Sequence, residues 1–196
     1  MFKLYNSNRG IYRSLITNDG RLFCMDFNPE GNWYPEDLIN SSFSREVRYL
    51  ERLQKYSWSP EIVTVDKITR RIVFRWYGNT CEDIIPDDYV SQLESIVIDL
   101  DREGIYKPSF YPKYFYVDSR NKIHAFNFYS ASDYSEQPVS IDFYKPILNS
   151  DRLDLIEKIS TDGKLDMRIL MKYAFNDYIK WPGNILPKIY EKVYGL

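Results

Sequence analysis

The middle of the chain carries the stretch that decides the fold, Gly104-Ile105-Tyr106-Lys107-Pro108-Ser109-Phe110-Tyr111-Pro112-Lys113-Tyr114-Phe115-Tyr116-Val117. It opens on a glycine and an isoleucine, continues through a loop that contains two prolines, and ends in a β-prone run at 114–117. A second β-prone run, 122–126, follows four polar residues, so the two runs predict a hairpin. The triplet Asn127-Phe128-Tyr129 comes directly after this hairpin.

Upstream of this stretch, β-prone runs alternate with turn signals. One helical segment interrupts them from Ser42 onward, where Phe43, Val47, Leu50 and Leu53 recur three or four positions apart and therefore share one face. The predicted order is three strands, one helix and two strands. The predicted strands are 2–5, 11–16, 21–27, 61–66 and 71–77.

Downstream of residue 78 the pattern becomes mostly helical. Apolar residues at helical spacing predict a helix over 87–103, and further helices are predicted at 153–159, 167–181 and 185–193. We therefore expect an α+β protein of two parts, 1–78 and 79–196, joined near residue 78 without a flexible linker.

This order of elements resembles the two-lobed protein-kinase-like fold, with a five-stranded antiparallel N-lobe that carries one helix and an abbreviated helical C-lobe. In kinases a similar loop and hairpin hold the catalytic loop and the metal-binding triplet. Pro112 falls on a proline that kinases often have in this loop, and Glu46 falls on the glutamate of helix C. The segment Ser59-Pro60-Glu61-Ile62-Val63 is similar to the one that leads into the fourth kinase strand. The resemblance covers about residues 1–130.

The catalytic loop departs from the kinase pattern at each functional position. The resemblance places Lys107 where kinases have the catalytic histidine and Pro108 where they have the arginine. Ser109 takes the place of the aspartate that accepts the substrate proton. Tyr114 takes the place of the asparagine that binds the second magnesium ion.

The metal-binding triplet and the third strand depart from the pattern as well. Asn127 replaces the aspartate of Asp-Phe-Gly, so an amide stands where a carboxylate should hold magnesium. In the third strand, Asp26, or Met25 if the alignment shifts by one residue, occupies the position of the phosphate-binding lysine. Of the residues compared, Glu46 alone matches, and an Asp26 beside it would bring like charges together.

Phosphoryl transfer depends on cations and hard oxygen ligands that stabilise a polyanion, so the loss of these groups is difficult to compensate. The resemblance therefore implies a degenerate pseudokinase without catalytic residues, cofactor or metal. We expect it to act as a binding or regulatory module with a protein partner.

Two alternatives stay open. One is an atypical nucleotide-dependent phosphotransferase or nucleotidyltransferase that uses Glu46, Asn127 and a base such as Asp118 or Asp142. The other is a virion or assembly component, because the chain also resembles the short kinase-like proteins of tailed bacteriophages, which would place it in the host cytoplasm. Exposed aromatic residues in 32–35, 129–138, 181–182 and 190–196 are candidate contact surfaces.

Composition excludes several other classes. The net charge of −2 does not favour nucleic acid as a partner. The eight glycines are all isolated, so no glycine-rich phosphate loop is present. Cys24, Cys81 and His124 cannot supply the usual zinc ligand set, and we interpret His124 as an ordinary strand residue.

No apolar run is long enough for a membrane span and the N-terminus is not a signal peptide, so we expect a cytoplasmic protein. The acidic residues Glu82, Asp83, Asp87 and Asp88 suit the start of a helix better than a cation site.

Overall fold

The computed structural model describes residues 1–6, 11–27, 34–108, 110–134, 139–140, 164–165 and 181–195. Contacts between Cα atoms divide the chain into two units. Unit 1 comprises Met1–Asp87 and Lys113–Ala131, and unit 2 comprises Asp88–Pro112 and Ser132–Leu196. The boundary after residue 78 stays a prediction.

The described residues form a mixed α/β structure. Its helices are α1 (Glu36–Leu53), α2 (Tyr89–Arg102) and α3 (Ile185–Tyr194). Its strands are β1 (Phe2–Asn6), β2 (Arg13–Thr17), β3 (Leu22–Asp26), β4 (Ile62–Asp66), β5 (Arg71–Arg75), β6 (Asn79–Thr80), β7 (Ile105–Tyr106), β8 (Phe115–Val117), β9 (Ile123–Ala125), β10 (Ser132–Asp133), β11 (Val139–Ser140) and β12 (Lys164–Leu165). None of the helices within these ranges is long and apolar enough to cross a bilayer.

Unit 1 is built on a five-stranded antiparallel sheet in the order β1-β2-β3-β5-β4. The predicted sheet is confirmed, although β5 ends at Arg75 and not at Tyr77. The next residue, Trp76, donates its backbone N–H to the carbonyl of Arg21, just before β3, at 2.9 Å. The turn between β2 and β3 is also the one predicted, with Gly20 at φ +70°.

Strand register decides which side chains share a face of this sheet. Opposite residues of neighbouring strands point to the same side, and successive residues of one strand point to opposite sides. Ser14 pairs with Met25, and Phe23 pairs with Phe74, so these residues lie on one face, which we call the core face. Phe23, Met25 and Phe74 are all buried there.

Helix α1 begins earlier than the sequence predicts, at Glu36 and not at Ser42. Glu36 and Asp37 in its first turn favour the positive end of the helix dipole, and the carbonyl of Pro35 accepts the Ile39 N–H at 3.1 Å. Its buried face consists of Ile39, Ser42, Phe43, Glu46, Val47, Tyr49, Leu50 and Leu53. The predicted apolar stripe is therefore confirmed, with one ionisable residue, Glu46, within it.

The second sheet of unit 1 has the order β6-β8-β9, and β8 and β9 form the predicted hairpin. Asp118 holds its turn together. Its carboxylate accepts the backbone N–H groups of Arg120 at 2.8 Å and Lys122 at 2.9 Å, and the Nε2 of His124 lies 3.1 Å away. Asn121 adopts φ +59°, a conformation that asparagine tolerates well. Burial raises the pKa of the Asp118 carboxyl, but the bonds from Lys122, His124 and Arg120 outweigh it, so the pKa lies below its ordinary value.

The substitution Asp118→Asn should destabilise the protein in a pH-dependent way. Because the folded-state pKa of Asp118 is depressed, its stabilising contribution is present above the unfolded pKa, about 4, and disappears as the pH falls through the folded pKa. We therefore expect the variant to have the lower unfolding free energy at pH 7. The difference from wild type should shrink at acidic pH. Urea unfolding of both proteins between pH 7 and pH 3 measures this, and a constant difference would contradict it.

Unit 2 contains helices α2 and α3, both predicted from the sequence. Trp181, just before α3, stacks on Tyr89 with ring centroids 6.0 Å apart. The Trp181 Nε1–H donates to the carbonyl oxygen of Phe110 at 2.6 Å, which anchors the loop that follows β7. The helix predicted at 153–159 lies outside the described residues. The helix predicted at 167–181 does too, except for Trp181.

Candidate active site

Unit 1 encloses a cavity of about 410 Å³ that we call the aromatic cavity. Its lining comes from five separate segments: strand β1, the chain entering β2, strand β3, the stretch after β5, and the region from 113 to 129. Its aromatic lining residues are Tyr5, Tyr12, Phe23, Trp76, Tyr114, Phe126 and Tyr129. One of these, Tyr114, takes the place of the magnesium-binding asparagine in the kinase resemblance.

The inner wall of the aromatic cavity is rigid because its rings pack against one another. The ring centroid of Phe23 lies 4.8 Å from that of Trp76 and 5.6 Å from that of Phe126. Tyr5 meets Trp76 edge to face at 5.5 Å. Phe23, Trp76 and Phe126 are at most 3% exposed. Aromatic pairs of this kind contribute roughly 0.5–1.5 kcal/mol each beyond their buried area, so the wall is a stable part of the core.

Glu46, Asn127 and Tyr114 lie together beside this wall. Glu46 and Asn127 are both fully buried, and Oε1 of Glu46 accepts the backbone N–H of Asn127 at 3.0 Å. Asn127 adopts φ +69°, in the left-handed region that asparagine enters more readily than most residues. Burial raises the pKa of the Tyr114 hydroxyl, and the neighbouring side chain of Asn127 partly offsets this. Three positions that the sequence aligned with the kinase site are therefore neighbours in the fold.

The other end of the cavity is formed by two further tyrosines. Tyr12 and Tyr129 meet edge to face with centroids 6.1 Å apart, and the guanidinium of Arg45 donates to the Tyr129 carbonyl at 3.2 Å. The pKa of Tyr12 is well above its ordinary value, chiefly through burial and then through the nearby Tyr114, Glu46 and Tyr129. Glu46 therefore lies near this end of the cavity.

Asp26 does not belong to this cluster. It pairs with Arg13 on one side and Arg71 on the other, on the face opposite the core face. Its fully buried carboxylate lies 2.7 Å from Nη2 of Arg13 and 3.3 Å from Nε of Arg71. We expected Asp26 beside Glu46, and that expectation is wrong because side chains alternate along β3. The core-face position of the strand belongs to Met25. Met25 is the residue that aligns with the phosphate-binding lysine if the alignment shifts by one residue.

Asp26 is therefore a structural residue, and Asp26→Asn should lower the unfolding free energy by about 1–3 kcal/mol. The substitution removes a buried negative charge between two arginines. Glu61→Gln is the matched control, because Glu61 also pairs with an arginine of β5, Arg75, but both side chains are more than half exposed. Exposed pairs of this kind contribute less than about 1 kcal/mol. Urea unfolding at pH 7 compares the two, and equal effects would contradict the structural role.

The remaining catalytic-loop positions lie in unit 2. Lys107 is buried, and its Nζ is 6.0 Å from the ring centroid of Phe110. The carbonyl of Pro108 accepts the Phe110 N–H at 3.1 Å. Ser109 and Asp142 lie outside the described residues. Asp118, the other base of the transferase alternative, is engaged by the hairpin turn and by His124.

The charged residues of the aromatic cavity are mostly acidic. Glu82 and Asp83 lie on its wall, and Lys113 is the one cationic residue among the described residues that line it. The carboxylate of Asp83 accepts the backbone N–H and hydroxyl of Thr80 at 3.1 and 2.9 Å. Burial raises the pKa of Tyr5, and the negative charges of Asp83 and Glu82 raise it further. Across the described parts of the chain, no group of three or more His, Cys, Asp or Glu side chains is placed to hold a metal ion.

Two residues of the proposed contact surfaces are buried, and the surfaces themselves stay predictions. Trp181 and Tyr190 are 4% and 2% exposed, so both pack inside unit 2 and are not available as anchors. Tyr34 remains 42% exposed. Nothing in the sequence pointed to the aromatic cavity as a whole, because its residues are distributed between positions 5 and 129 and no short motif connects them.

Comparison with known proteins supports the fold alone. No protein-family model matches the sequence, and no curated protein matches it. Among solved structures, the chain is similar to WbdD, which was solved in a co-crystal structure with the kinase inhibitor LY294002, at a TM-score of 0.52 and 13% identity. The match covers 100% of this chain and 46% of the WbdD chain, so this chain spans about half the length of that protein. The kinase-like fold expected from the sequence is supported at this level.

Proposed function

We propose that this chain is a catalytically inactive kinase-like module that acts by binding and not by phosphoryl transfer. The observation that carries the proposal is the lining of the aromatic cavity, which combines seven aromatic rings with the carboxylates of Glu82 and Asp83. An amide residue, Asn127, lies beside Tyr114 where the resemblance implies a metal-binding aspartate. Such a surface offers a nucleotide stacking area but little to hold its phosphates.

Electrostatics supports this proposal. A triphosphate carries several negative charges, and kinase-like catalysis places a lysine and magnesium ions against them. Among the described residues that line the cavity, Lys113 is the one cation, and Glu82 and Asp83 are carboxylates. On the core face of β3, the position that aligns with the phosphate-binding lysine is occupied by Met25. Its buried thioether carries no charge. Like charges in a partly enclosed cavity disfavour binding more strongly than they would in water.

A protein with the kinase-like fold is also able to bind an organic ligand. WbdD, which shares the kinase-like fold, was crystallised with a kinase inhibitor. We propose that this chain has kept a cavity for an organic molecule while the groups required for phosphoryl transfer are absent from it. We further propose that its output is contact with a protein partner, in a regulatory or an assembly role. An origin among the kinase-like proteins of tailed bacteriophages remains an expectation of the sequence.

The test is a thermal-shift titration of the full chain with ATP and magnesium chloride. We expect the melting temperature to follow that of a titration with sodium chloride at matched ionic strength, because no specific binding stabilises the folded state. A saturable rise with ATP and magnesium, absent with salt alone, would contradict the proposal.

A second assay measures the release of labelled phosphate from ATP by the purified chain. Release that is lost in the variant Asn127→Ala would favour the transferase alternative instead.

A further inference from the structure

We infer that the aromatic cavity binds a small organic cation of the quaternary or alkylated ammonium class. This inference deepens the proposed function, because it assigns a ligand to the cavity that the proposal describes as unsuited to a nucleotide. It rests on three properties of the cavity: the rings that line it, the sign of its charge, and its volume.

The rings that line the cavity are of the kind that organic cations prefer. Aromatic faces carry a negative electrostatic potential, so a cation within about 6 Å of a ring centroid is attracted to it, and tryptophan and tyrosine are the most effective. Four tyrosines and Trp76 line the cavity. One of these rings already has a cation near it, since the Nζ of Lys113 lies 5.1 Å from the ring centroid of Tyr114.

The charges around the cavity have the matching sign. Glu82 and Asp83 on the wall outnumber Lys113, and their charge raises the pKa of Tyr5 on the same wall. At the other end, the buried Glu46 lies near Tyr12. The field inside the cavity therefore attracts a cation and repels a phosphate.

The volume and the polar groups favour an alkylated nitrogen over a bare ammonium ion. At about 410 Å³ the cavity falls within the roughly 300–1,000 Å³ of small-molecule sites. The Oδ2 of Asp83 already accepts two hydrogen bonds from Thr80. A quaternary ammonium has no N–H group to satisfy, so it can exchange water for aromatic contact and still be attracted by the carboxylates.

The experiment compares choline with its neutral isostere, 3,3-dimethylbutan-1-ol, on the full chain. Both molecules have the same shape and hydroxyl group, and they differ in the positive charge. We expect a saturable rise in melting temperature and measurable calorimetric binding with choline chloride in the millimolar range. The isostere should produce neither, and sodium chloride at equal concentration corrects for ionic strength.

Two variants locate the binding site. Glu82→Gln should weaken choline binding by about 2- to 4-fold, because it removes one of the attracting charges, which is solvent-exposed, without removing a ring. Glu61→Gln removes an exposed carboxylate that does not line the cavity, and it should leave choline binding unchanged. An equal loss in both variants would overturn the assignment to this cavity.

The other outcomes separate this inference from the proposed function. If neither choline nor ATP with magnesium shifts the melting temperature, the cation inference fails and the inactive module stands. If choline and its isostere bind equally, the cavity recognises apolar shape and the inference fails as well. If ATP with magnesium stabilises the chain and choline does not, both proposals fail.

Discussion

The structure depends on the alternation of side chains along strand β3. Because successive residues of a strand point to opposite faces, Phe23 and Met25 enter the core while Asp26 turns the other way. A shift of one residue in this strand would turn Asp26 to the core face, away from Arg13 and Arg71, and would turn Phe23 off that face. Register is therefore strongly specified here, and it decides which residue of the third strand reaches the cavity.

Asp26 shows how a charged residue can be buried and remain a structural element. Its carboxylate is fully covered, yet two arginines from the neighbouring strands lie within hydrogen-bonding or ion-pairing distance while their own stems remain partly exposed. A buried charge without such partners would strongly destabilise the fold. The arrangement links β2, β3 and β5 on the face away from the core and leaves the core face free of charge at that point.

Glu46, in contrast, lies on the buried face of α1 among apolar residues. Its hydrogen bond from the backbone N–H of Asn127 connects the helix to the segment after β9. A carboxylate that accepts a backbone N–H positions a chain segment whether or not any metal or nucleotide is involved. The single kinase-like residue kept by this sequence thus has a structural use of its own. The same residue also lies near Tyr12, one of the residues that line the aromatic cavity.

The sequence by itself determined the order of strands and helices, the hairpin of β8 and β9 and the apolar stripe of α1. Each of these rests on local periodicity or turn chemistry that neighbouring residues set among themselves. It also identified Glu46, Tyr114 and Asn127 as positions of interest, through their places in short motifs.

Only the tertiary structure decided what those positions do. The choice between Asp26 and Met25 depends on strand register, and the aromatic cavity depends on bringing together residues from position 5 to position 129. These features come from contacts between distant segments, and a one-dimensional pattern contains no distances from which to derive them.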